Sequence, residues 1–253
     1  MEELLSDLTG KTALVTGGSR GLGKAIVLAL AAEGADVALC YRSGKDAAEQ
    51  TAEEARKAGP GHIIAVEADV TRAEDRKALV SEVTEAVGRV DILVNNAGTT
   101  QDGVAMGMGE AWDQVLELNL TAAFRMSQLV IRGMMKRNTG RIINIGSIAS
   151  RLGVPGQVNY AASKAGMEGM SRSLAQEYGR KGVTVNTVNP GFLETDLTQD
   201  AGEFARNYVE QHAATGRFPT PESVAAVVTF LASDAAWAVT GQTVNVDGGL
   251  VKS

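Results

Sequence analysis

The chain has 253 residues, 44% of them hydrophobic, which is enough for one large α/β domain with a substantial core. Its formal net charge of −6, without a block of like charge, makes nucleic acid and anionic membranes poor partners. One cysteine, Cys40, excludes an internal disulfide, and with only His62 and His212 beside it we expect neither a metal centre nor a histidine-based hydrolytic triad. No apolar run is long enough to cross a bilayer and the start lacks the basic residues of a secretion signal, so we expect a cytoplasmic protein.

Short apolar segments alternate with helical patterns along the whole chain. Segments such as DILVN and RIINI are nearly all apolar, which is typical of parallel strands covered on both faces. We therefore predict an α/β fold, with residues 1–253 forming a single doubly wound Rossmann-type domain whose seven-stranded parallel sheet has helices on both faces. The predicted strands are 11–16, 35–41, 62–67, 90–95, 141–146, 183–189 and 243–247, and the predicted helices are 21–33, 45–58, 73–88, 110–137, 158–180 and 221–233.

A glycine-rich turn, TGGSRGLG at 16–23, joins the first predicted strand to the first helix. A strand, a glycine turn and a helix in this order present backbone N–H groups and a helix N-terminus to a pyrophosphate. The spacing is G-x-x-x-G-x-G, not the usual G-x-G-x-x-G, so the loop taken alone is also compatible with an ordinary tight turn. The flanking strand and helix favour a dinucleotide site.

The end of the second predicted strand bears on the choice of nucleotide. It reads Cys40-Tyr41-Arg42-Ser43, without the carboxylate that binds the ribose hydroxyls of NAD in such folds. Arg42, together with Arg20 in the glycine loop, suits bidentate recognition of a 2′-phosphate. The sequence therefore predicts NADPH as the cofactor, with solvated surface arginines as the alternative interpretation.

Tyr160 and Lys164 are four residues apart in the predicted helix 158–180, so they lie on one face of it. A fixed ammonium close to a phenol favours the phenolate and lowers the pKa of the tyrosine toward working pH. The pair is typical of a tyrosine that acts as an acid, although the spacing alone occurs in many helices.

Residues 192–218 interrupt the alternation after Pro190-Gly191. They follow the C-terminal end of a predicted strand, where ligands bind in open α/β sheets. We predict that this insertion forms a substrate lid.

Several ordered motifs together resemble the short-chain dehydrogenase/reductase family, from about Leu8 to Gly249. Stretches such as NNAGTTQDGVAM, NYAASKAG and NPGFLETDL are most similar to bacterial 3-oxoacyl-(acyl-carrier-protein) reductases, and polyketide and acetoacetyl-thioester reductases read much the same way. The motifs are the glycine loop 16–23, Asp69-Val70, the run Asn95-Asn96-Ala97-Gly98, Asn119, Ser147, Tyr160 with Lys164, and Pro190-Gly191 with Thr195.

The resemblance implies an NADPH-dependent carbonyl reductase that converts a 3-oxoacyl thioester to its 3-hydroxyacyl product. Tyr160 would be the general acid, Ser147 would donate a hydrogen bond to the substrate oxygen, Lys164 would bind the nicotinamide ribose, and Asn119 would hold a water that relays protons. The cofactor-binding set that it implies is Gly17, Ser19, Arg20, Gly21, Leu22, Gly23, Tyr41, Arg42, Ser43, Asp69, Val70, Asn96, Ala97, Gly98, Tyr160, Lys164, Pro190, Gly191 and Thr195.

The expected substrate walls are Gln157, Val154, Met106 and Phe192, none of which could clamp a free carboxylate. We therefore expect an uncharged ketone or thioester, free or carried by acyl carrier protein. A polyketide, polyene or small-ketone substrate stays open, as does a non-catalytic NADP-binding redox sensor. A sensor would have to retain a complete set of catalytic residues that it does not use.

Basic residues at two helix ends bear on the carrier, namely Lys136 with Arg137 and Arg180 with Lys181. In the resembled reductases such residues meet the acidic carrier protein, but here Asn138 stands where an arginine is expected. Solvation of the helix ends explains the same residues.

The predicted helices 110–137 and 158–180 carry apolar or small residues around much of their circumference. A helix with one face in water should show a single apolar stripe, so the surplus predicts a second buried face. Symmetric closure and the resemblance together predict a homotetramer with these helices at a two-fold interface. The residues concerned in the first helix are Leu116, Leu118, Leu120, Ala123, Phe124, Met126, Leu129, Val130 and Met134.

Overall fold

A computed structural model describes residues 6–193 and 208–252 of the chain. Within them, seven parallel strands form one sheet in the order β3-β2-β1-β4-β5-β6-β7, which confirms the predicted doubly wound fold. The order reverses between β1 and β4, and the crevice at the carboxyl ends of these two strands is where such sheets bind ligands. The strands are β1 Thr12–Thr16, β2 Asp36–Tyr41, β3 Ile63–Glu67, β4 Ile92–Asn95, β5 Gly140–Ile145, β6 Val183–Pro190 and β7 Thr243–Val246.

Apart from the helical residues 208–212 within the insertion, the described helices agree with the predicted ones within a few residues, with a division of the fourth and one short addition. The addition is a single turn after β5. The helices are α1 Gly21–Ala32, α2 Lys45–Ala58, α3 Ala73–Val87, α4 Glu110–Leu116, α5 Ala122–Arg137, α6 Ala149–Leu152, α7 Val158–Tyr178 and α8 Pro221–Ala232. Short 3₁₀ turns within the described ranges lie at Ala105–Gly107, Gly179–Lys181 and Asp234–Ala236.

Two apolar cores lie on opposite faces of the sheet, because successive residues of a strand point to opposite sides. Val15 of β1 packs in a core that includes residues of α1, α2 and α8, whereas its neighbour Leu14 packs in a core that includes residues of α3, α5 and α7. Both side chains are 0% exposed. Double coverage explains why the strands are apolar throughout.

The predicted helix 110–137 is not continuous, which corrects the sequence-based expectation. A π-helical turn over Glu117–Thr121 separates α4 from α5. Such turns insert one extra residue into a helix and occur often at functional sites. The apolar pattern continues across the insertion, so the sequence does not reveal it. Asn119 lies within this turn and is 0% exposed.

The lid predicted at 192–218 lies largely outside the described residues, as does Thr195. Its two described ends pack together: Phe192 meets Tyr208 edge-on, with 6.4 Å between ring centroids. Both rings pack against a small apolar cluster that includes Ile148, immediately after Ser147. The ends of the insertion therefore lie beside the carboxyl end of β5.

Three features of the described residues bear on membrane insertion, metal binding and cysteine chemistry. No helix in the described part of the chain is long and apolar enough to span a membrane. The same residues contain no cluster of three or more histidine, cysteine or acidic side chains that could hold a metal ion. Burial raises the pKa of the Cys40 thiol to about 12, so Cys40 is an inert thiol in the core.

Candidate active site

Several positions of the glycine loop between β1 and α1 could not carry a side chain without a clash or a strained backbone. Gly17 and Gly21 have φ angles of +65° and +54°, which favour glycine. A Cβ on Gly23 would collide with the carbonyl oxygen of Gly17, and one on Gly18 would lie 2.8 Å from Leu39 Cβ. The first turn of α1 has no side-chain cap and no acidic residue. The loop thus fits a backbone cradle for a phosphate group at a helix N-terminus.

The segment after β4 holds this loop in place. The Asn96 side-chain amide donates to the carbonyl oxygens of Thr16 and Gly17, at 3.0 and 2.9 Å. The Thr16 hydroxyl accepts from the backbone N–H groups of Asn96 and Ala97, at 3.1 and 3.0 Å. Asn96 and Ala97 therefore shape the predicted nucleotide site by fixing its glycine loop.

Arg20 and Arg42 are both exposed at the carboxyl end of the sheet. Neither guanidinium forms an ion pair within the described ranges. Arg42 borders a cleft of about 420 Å³ together with Asp69 and Arg72. Burial raises the pKa of Asp69, but hydrogen bonds from Thr71 and the nearby positive charges outweigh burial and lower it. Because Glu67, Asp75 and Glu82 also line this cleft, contact of Arg42 with an anionic ligand stays a prediction.

The other predicted nucleotide residues that the structure describes lie at or beyond the carboxyl ends of β1, β2, β3 and β6. Ser19, Leu22 and Ser43 are exposed or half-buried, whereas Tyr41 and Val70 are each 5% exposed and pack in the two cores. Gly191 lies against Asp247, because a Cβ on it would be 2.8 Å from the Asp247 Cα. The structure thus gives Tyr41 and Val70 a packing role, and their contact with a nucleotide stays a prediction.

The fold brings Ser147, Tyr160 and Lys164 together. Ser147 follows β5, and its side chain lies close enough to the phenol of Tyr160, near the start of α7, to affect its ionisation. Lys164 lies one turn further along α7, with its Nζ 5.5 Å from the centroid of the Tyr160 ring. The ammonium donates a hydrogen bond of 2.8 Å to the carbonyl oxygen of Ile145. The three predicted catalytic side chains thus share one corner of the crevice, where Lys164 is buried and Ser147 and Tyr160 are half-buried.

The pKa of Tyr160 shifts in the direction opposite to our expectation. Burial raises it, the nearby Ser147 hydroxyl partly offsets that effect, and the negative charge of Asp102 adds to it. The spacing predicted that Lys164 would lower the value, but burial dominates and the ammonium bonds to a backbone carbonyl. A raised pKa keeps the phenol protonated at neutral pH, which is the form that a proton donor requires.

Lys164 is a buried charge without a carboxylate partner in the part of the chain that the structure describes. Burial lowers its pKa from 10.5 to about 8. Isolated buried ammonium groups are costly, so their retention indicates a function. Two of its three N–H donors have no protein acceptor among the hydrogen bonds of Lys164, and these suit hydroxyl groups of a bound ribose.

Asn119 binds the backbone of Thr99, in the segment that follows β4. Its Oδ1 accepts from the Thr99 N–H at 2.8 Å, and its Nδ2 donates to the Thr99 carbonyl at 2.9 Å and to Ser163 Oγ at 3.1 Å. A Cβ on Gly98 would lie 3.2 Å from Asn119 Oδ1 and 3.5 Å from Lys164 Nζ. The side chain of Asn119 therefore positions the loop at the centre of the site, and its water-relay role stays a prediction.

The four predicted substrate residues differ in their surroundings. Gln157, Val154 and Phe192 are half-buried, whereas Met106 is 100% exposed and contacts no wall in this structure. Gln157 donates a hydrogen bond of 3.1 Å to Asp102. Asp102 is a site residue that the sequence did not reveal, because a lone carboxylate in a loop has no diagnostic spacing.

Known proteins resemble this chain both in sequence and in structure. The family profile described as Enoyl-(Acyl carrier protein) reductase matches residues 17–251, from the glycine loop past β7. A solved Serratia marcescens short-chain dehydrogenase/reductase, a double mutant, superposes with a TM-score of 0.89 at 38% identity, covering 96% of this chain and 99% of that one. This chain belongs to the short-chain dehydrogenase/reductase family.

Two curated relatives of this short-chain dehydrogenase/reductase are 3-oxoacyl-(acyl-carrier-protein) reductases. The enzyme of Vibrio cholerae is 44% identical over 245 residues, which are 96% of this chain and 98% of the relative. That of Synechocystis is 44% identical over 249 residues, covering 98% and 99%. The family uses a nicotinamide cofactor, and the glycine loop and the buried Lys164 fit such a group.

Proposed function

We propose that this short-chain dehydrogenase/reductase is an NADPH-dependent reductase of 3-oxoacyl thioesters, carried by acyl carrier protein or coenzyme A. The observation that carries the proposal is the meeting of three side chains, the Tyr160 phenol, the Ser147 hydroxyl close to it and the buried Lys164 beside its ring. The names and full-length similarity of the Vibrio and Synechocystis relatives support the substrate class. The product is the 3-hydroxyacyl thioester.

Each residue of the site has its own role in the proposed reaction. A bound nicotinamide nucleotide supplies a hydride to the substrate carbonyl carbon. The hydroxyls of Ser147 and Tyr160 donate to the carbonyl oxygen, where negative charge develops, and Tyr160 then transfers its proton to that oxygen. Lys164 stabilises the phenolate that Tyr160 becomes, because its charge lies on the same face of α7.

Asp102 supports an uncharged substrate. Its carboxylate is close enough to raise the pKa of Tyr160, and it accepts a hydrogen bond from Gln157. A free 3-oxo acid would bring a second negative charge to this region, whereas a thioester brings none. The charge of Asp102 is therefore a specific reason to expect a neutral ketone or thioester as the substrate.

The description of the matching family profile gives a second candidate, reduction of the carbon–carbon double bond of an enoyl thioester. The nearby hydroxyls of Ser147 and Tyr160 favour the carbonyl, because both could donate to the one alkoxide that would form. Polyketide or polyene ketoreductases and small-ketone dehydrogenases would use the same pair. An NADP-binding redox sensor would not use the Ser147 and Tyr160 hydroxyls.

Absorbance at 340 nm distinguishes these functions. The purified protein with NADPH should oxidise the nucleotide with an acetoacetyl thioester and not with a crotonyl thioester. Turnover with crotonyl thioester alone would establish the enoyl reaction instead. Activity with simple ketones alone would indicate a small-ketone dehydrogenase, and no turnover across 3-oxoacyl thioesters and ketones would favour the sensor.

NADPH is the proposed nucleotide because Arg20 and Arg42 are exposed and neither forms an ion pair with a carboxylate among the residues that the structure describes. Replacing Arg42 with aspartate adds repulsion where a 2′-phosphate is expected, so kcat/KM should fall with NADPH and the preference should move toward NADH. Arg180→Asp makes the same charge change at an exposed site near the end of α7 and should leave the preference unchanged. An unchanged ratio in Arg42→Asp would assign the phosphate to Arg20 or Arg72.

Acyl carrier protein is the proposed macromolecular partner. Lys136, Arg180 and Lys181 are exposed, but Arg137 donates to the Val90 carbonyl at 2.7 Å and is engaged within the fold. Asn138 ends α5 with a φ of 53°, a left-handed conformation that asparagine tolerates better than arginine. The local backbone thus explains why asparagine stands where an arginine is expected.

A homotetramer remains our proposal for the assembly. Leu120, Phe124 and Leu129 are only half-buried, whereas Met126 and Met134 already pack in the core, so the surplus apolar surface is smaller than the sequence indicated. Light scattering at micromolar concentration should give four times the 26.4 kDa chain mass. A mass near that of the single chain would rule out this assembly.

A further inference from the structure

Glu168 is a buried carboxylate on α7 to which the proposed chemistry gives no role. It lies one helical turn beyond Lys164 and two beyond Tyr160, on roughly the same side of the helix. The residue is 7% exposed. Buried carboxylates are expensive unless they are paired and hydrogen bonded, so its partners indicate what it is for.

The partners of Glu168 come from two other segments of the site. Oε1 accepts from Ser150 Oγ at 2.8 Å and from Asn189 Nδ2 at 2.9 Å. Oε2 accepts from the Arg151 guanidinium at 3.1 Å. Arg172 lies 3.9 Å away on the same helix. One side chain thus joins α7 to α6 and to the end of β6, next to Pro190-Gly191.

Ser150 extends this connection to the catalytic serine. Its Oγ is 2.7 Å from the Ser147 carbonyl oxygen as well as 2.8 Å from Glu168 Oε1, so its single proton is shared between two acceptors. The Ser147 hydroxyl in turn accepts from the backbone N–H of Ala149 at 3.1 Å. The backbone around Ser147 is therefore tied to Glu168 through one bridging hydroxyl.

The segment that carries Ser147 needs such support. It follows the end of β5 and leads into α6, which has only four residues, Ala149–Leu152. A single turn of helix is not stable on its own. Burial raises the pKa of Glu168, but the hydrogen bonds from Asn189, Ser150 and Arg151 outweigh it and lower the value, so the group is ionised at neutral pH. Charge-assisted hydrogen bonds are the stronger kind.

We propose that Glu168 is a positioning residue for the reductase reaction: by holding Ser150 and Arg151 of α6 against α7, it keeps the Ser147 hydroxyl in place at Tyr160. The inference rests on the proposed function. Glu168 acts through Ser147 and is not itself a catalytic residue. Displacing a catalytic group by about 1 Å costs roughly 100-fold in rate, so a loosened α6 should be visible in kcat.

The test compares Glu168→Ala and Glu168→Gln by steady-state kinetics and by nucleotide binding. Glu168→Ala should lower kcat by roughly 10- to 100-fold. Its Kd for NADPH should change by less than about threefold, because among the described residues Glu168 forms no hydrogen bond or ion pair with the glycine loop or Lys164. Glu168→Gln keeps an oxygen acceptor for Ser150 and should recover most of kcat.

Two further variants separate positioning from general destabilisation. In a Ser147→Ala background, Glu168→Ala should lower kcat little further, because residues that act through one group are not additive. Asp91→Asn is the matched control: Asp91 is also a buried carboxylate bonded to two arginines, Arg89 at 2.8 Å and Arg137 at 3.5 Å, but it lies at the opposite end of the sheet. Asp91→Asn should lower Tm and leave kcat near wild type.

The outcomes distinguish the two proposals. A folded Glu168→Ala protein with wild-type kcat, or an effect fully additive with Ser147→Ala, would overturn the positioning role. Should Glu168→Ala fail to fold, Ser150→Ala removes only the bridging hydroxyl and should lower kcat several-fold; wild-type kcat there would overturn the role equally. A wild-type protein inactive on every ketone and thioester contradicts the proposed function itself.

Discussion

Replacing Tyr160 with phenylalanine should lower kcat by roughly two orders of magnitude or more, while folding and NADPH binding stay intact. The substitution removes only the hydroxyl that lies close to Ser147 and keeps the ring beside Lys164. Without the phenol, the developing alkoxide loses its proton donor. Stopped-flow and steady-state assays with an acetoacetyl thioester measure the loss, and nucleotide fluorescence measures binding.

Tyr178→Phe is the matched control for this prediction. Tyr178 ends α7 and is half-buried, but it lies far along the helix from Ser147. Its variant should keep wild-type kcat. If Tyr160→Phe also retained near-normal kcat at neutral pH, Tyr160 could not be the acid, and Ser147 would be the remaining candidate.

Lys164→Met should abolish activity, weaken nucleotide binding and yet stabilise the fold. Burial lowers the pKa of Lys164 from 10.5 to about 8. At about 1.4 kcal/mol per pKa unit, keeping this ammonium charged costs the folded state about 3 kcal/mol at neutral pH. Loss of the hydrogen bond to Ile145 offsets about 1 kcal/mol of the gain. The variant should therefore be more stable by about 2 kcal/mol at pH 7.

The pH dependence of stability tests the same charge. The folded protein releases the Lys164 proton near pH 8, whereas the unfolded chain holds it to about 10.5, so the unfolded state binds more protons between these values. Wild-type stability should gain a contribution from Lys164 as pH rises through this window, and the advantage of Lys164→Met should shrink. Urea unfolding of both proteins at pH 7 and pH 9.5 measures the difference.

The control for this comparison is Lys181→Met, which removes an exposed ammonium beyond the end of α7. Its stability difference from wild type should be within about 0.5 kcal/mol at both pH values. A Lys164→Met protein less stable than wild type at pH 7 would mean that the fold compensates the buried charge fully.

The strands were predictable from sequence because their burial on both faces leaves a continuous apolar run, as in Ile92–Asn95 and Gly140–Ile145. The two features that escaped prediction are the π turn at Glu117–Thr121 and the short helix α6. Both depend on tertiary hydrogen bonds: Asn119 pairs with the backbone of Thr99, and α6 is held by Glu168. Neither contact leaves a local periodicity.

The candidate site also contains some residues that the sequence predicted and others that it did not. Residues whose spacing has a physical meaning, such as Tyr160 with Lys164, were found from sequence and meet in the structure. Asp102 and Glu168 are single carboxylates whose importance depends on neighbours distant in the chain, so no pattern identified them. The pKa of Tyr160 was predicted in the wrong direction, because helical spacing reports a neighbouring charge but not the depth of burial.

The extra residue of the π turn at Glu117–Thr121 also acts as a phase shift between α4 and α5. An α-helix rotates about 100° per residue, so one inserted residue turns the apolar face of α5 by about that angle relative to α4. Deleting a single residue here would restore a continuous helix, but either Met126 and Met134 would leave the core or Asn119 would turn away from Thr99. Two requirements therefore fix the length of this turn. The core requires the rotational position that α5 has, and the active-site loop requires the rotational position that Asn119 has.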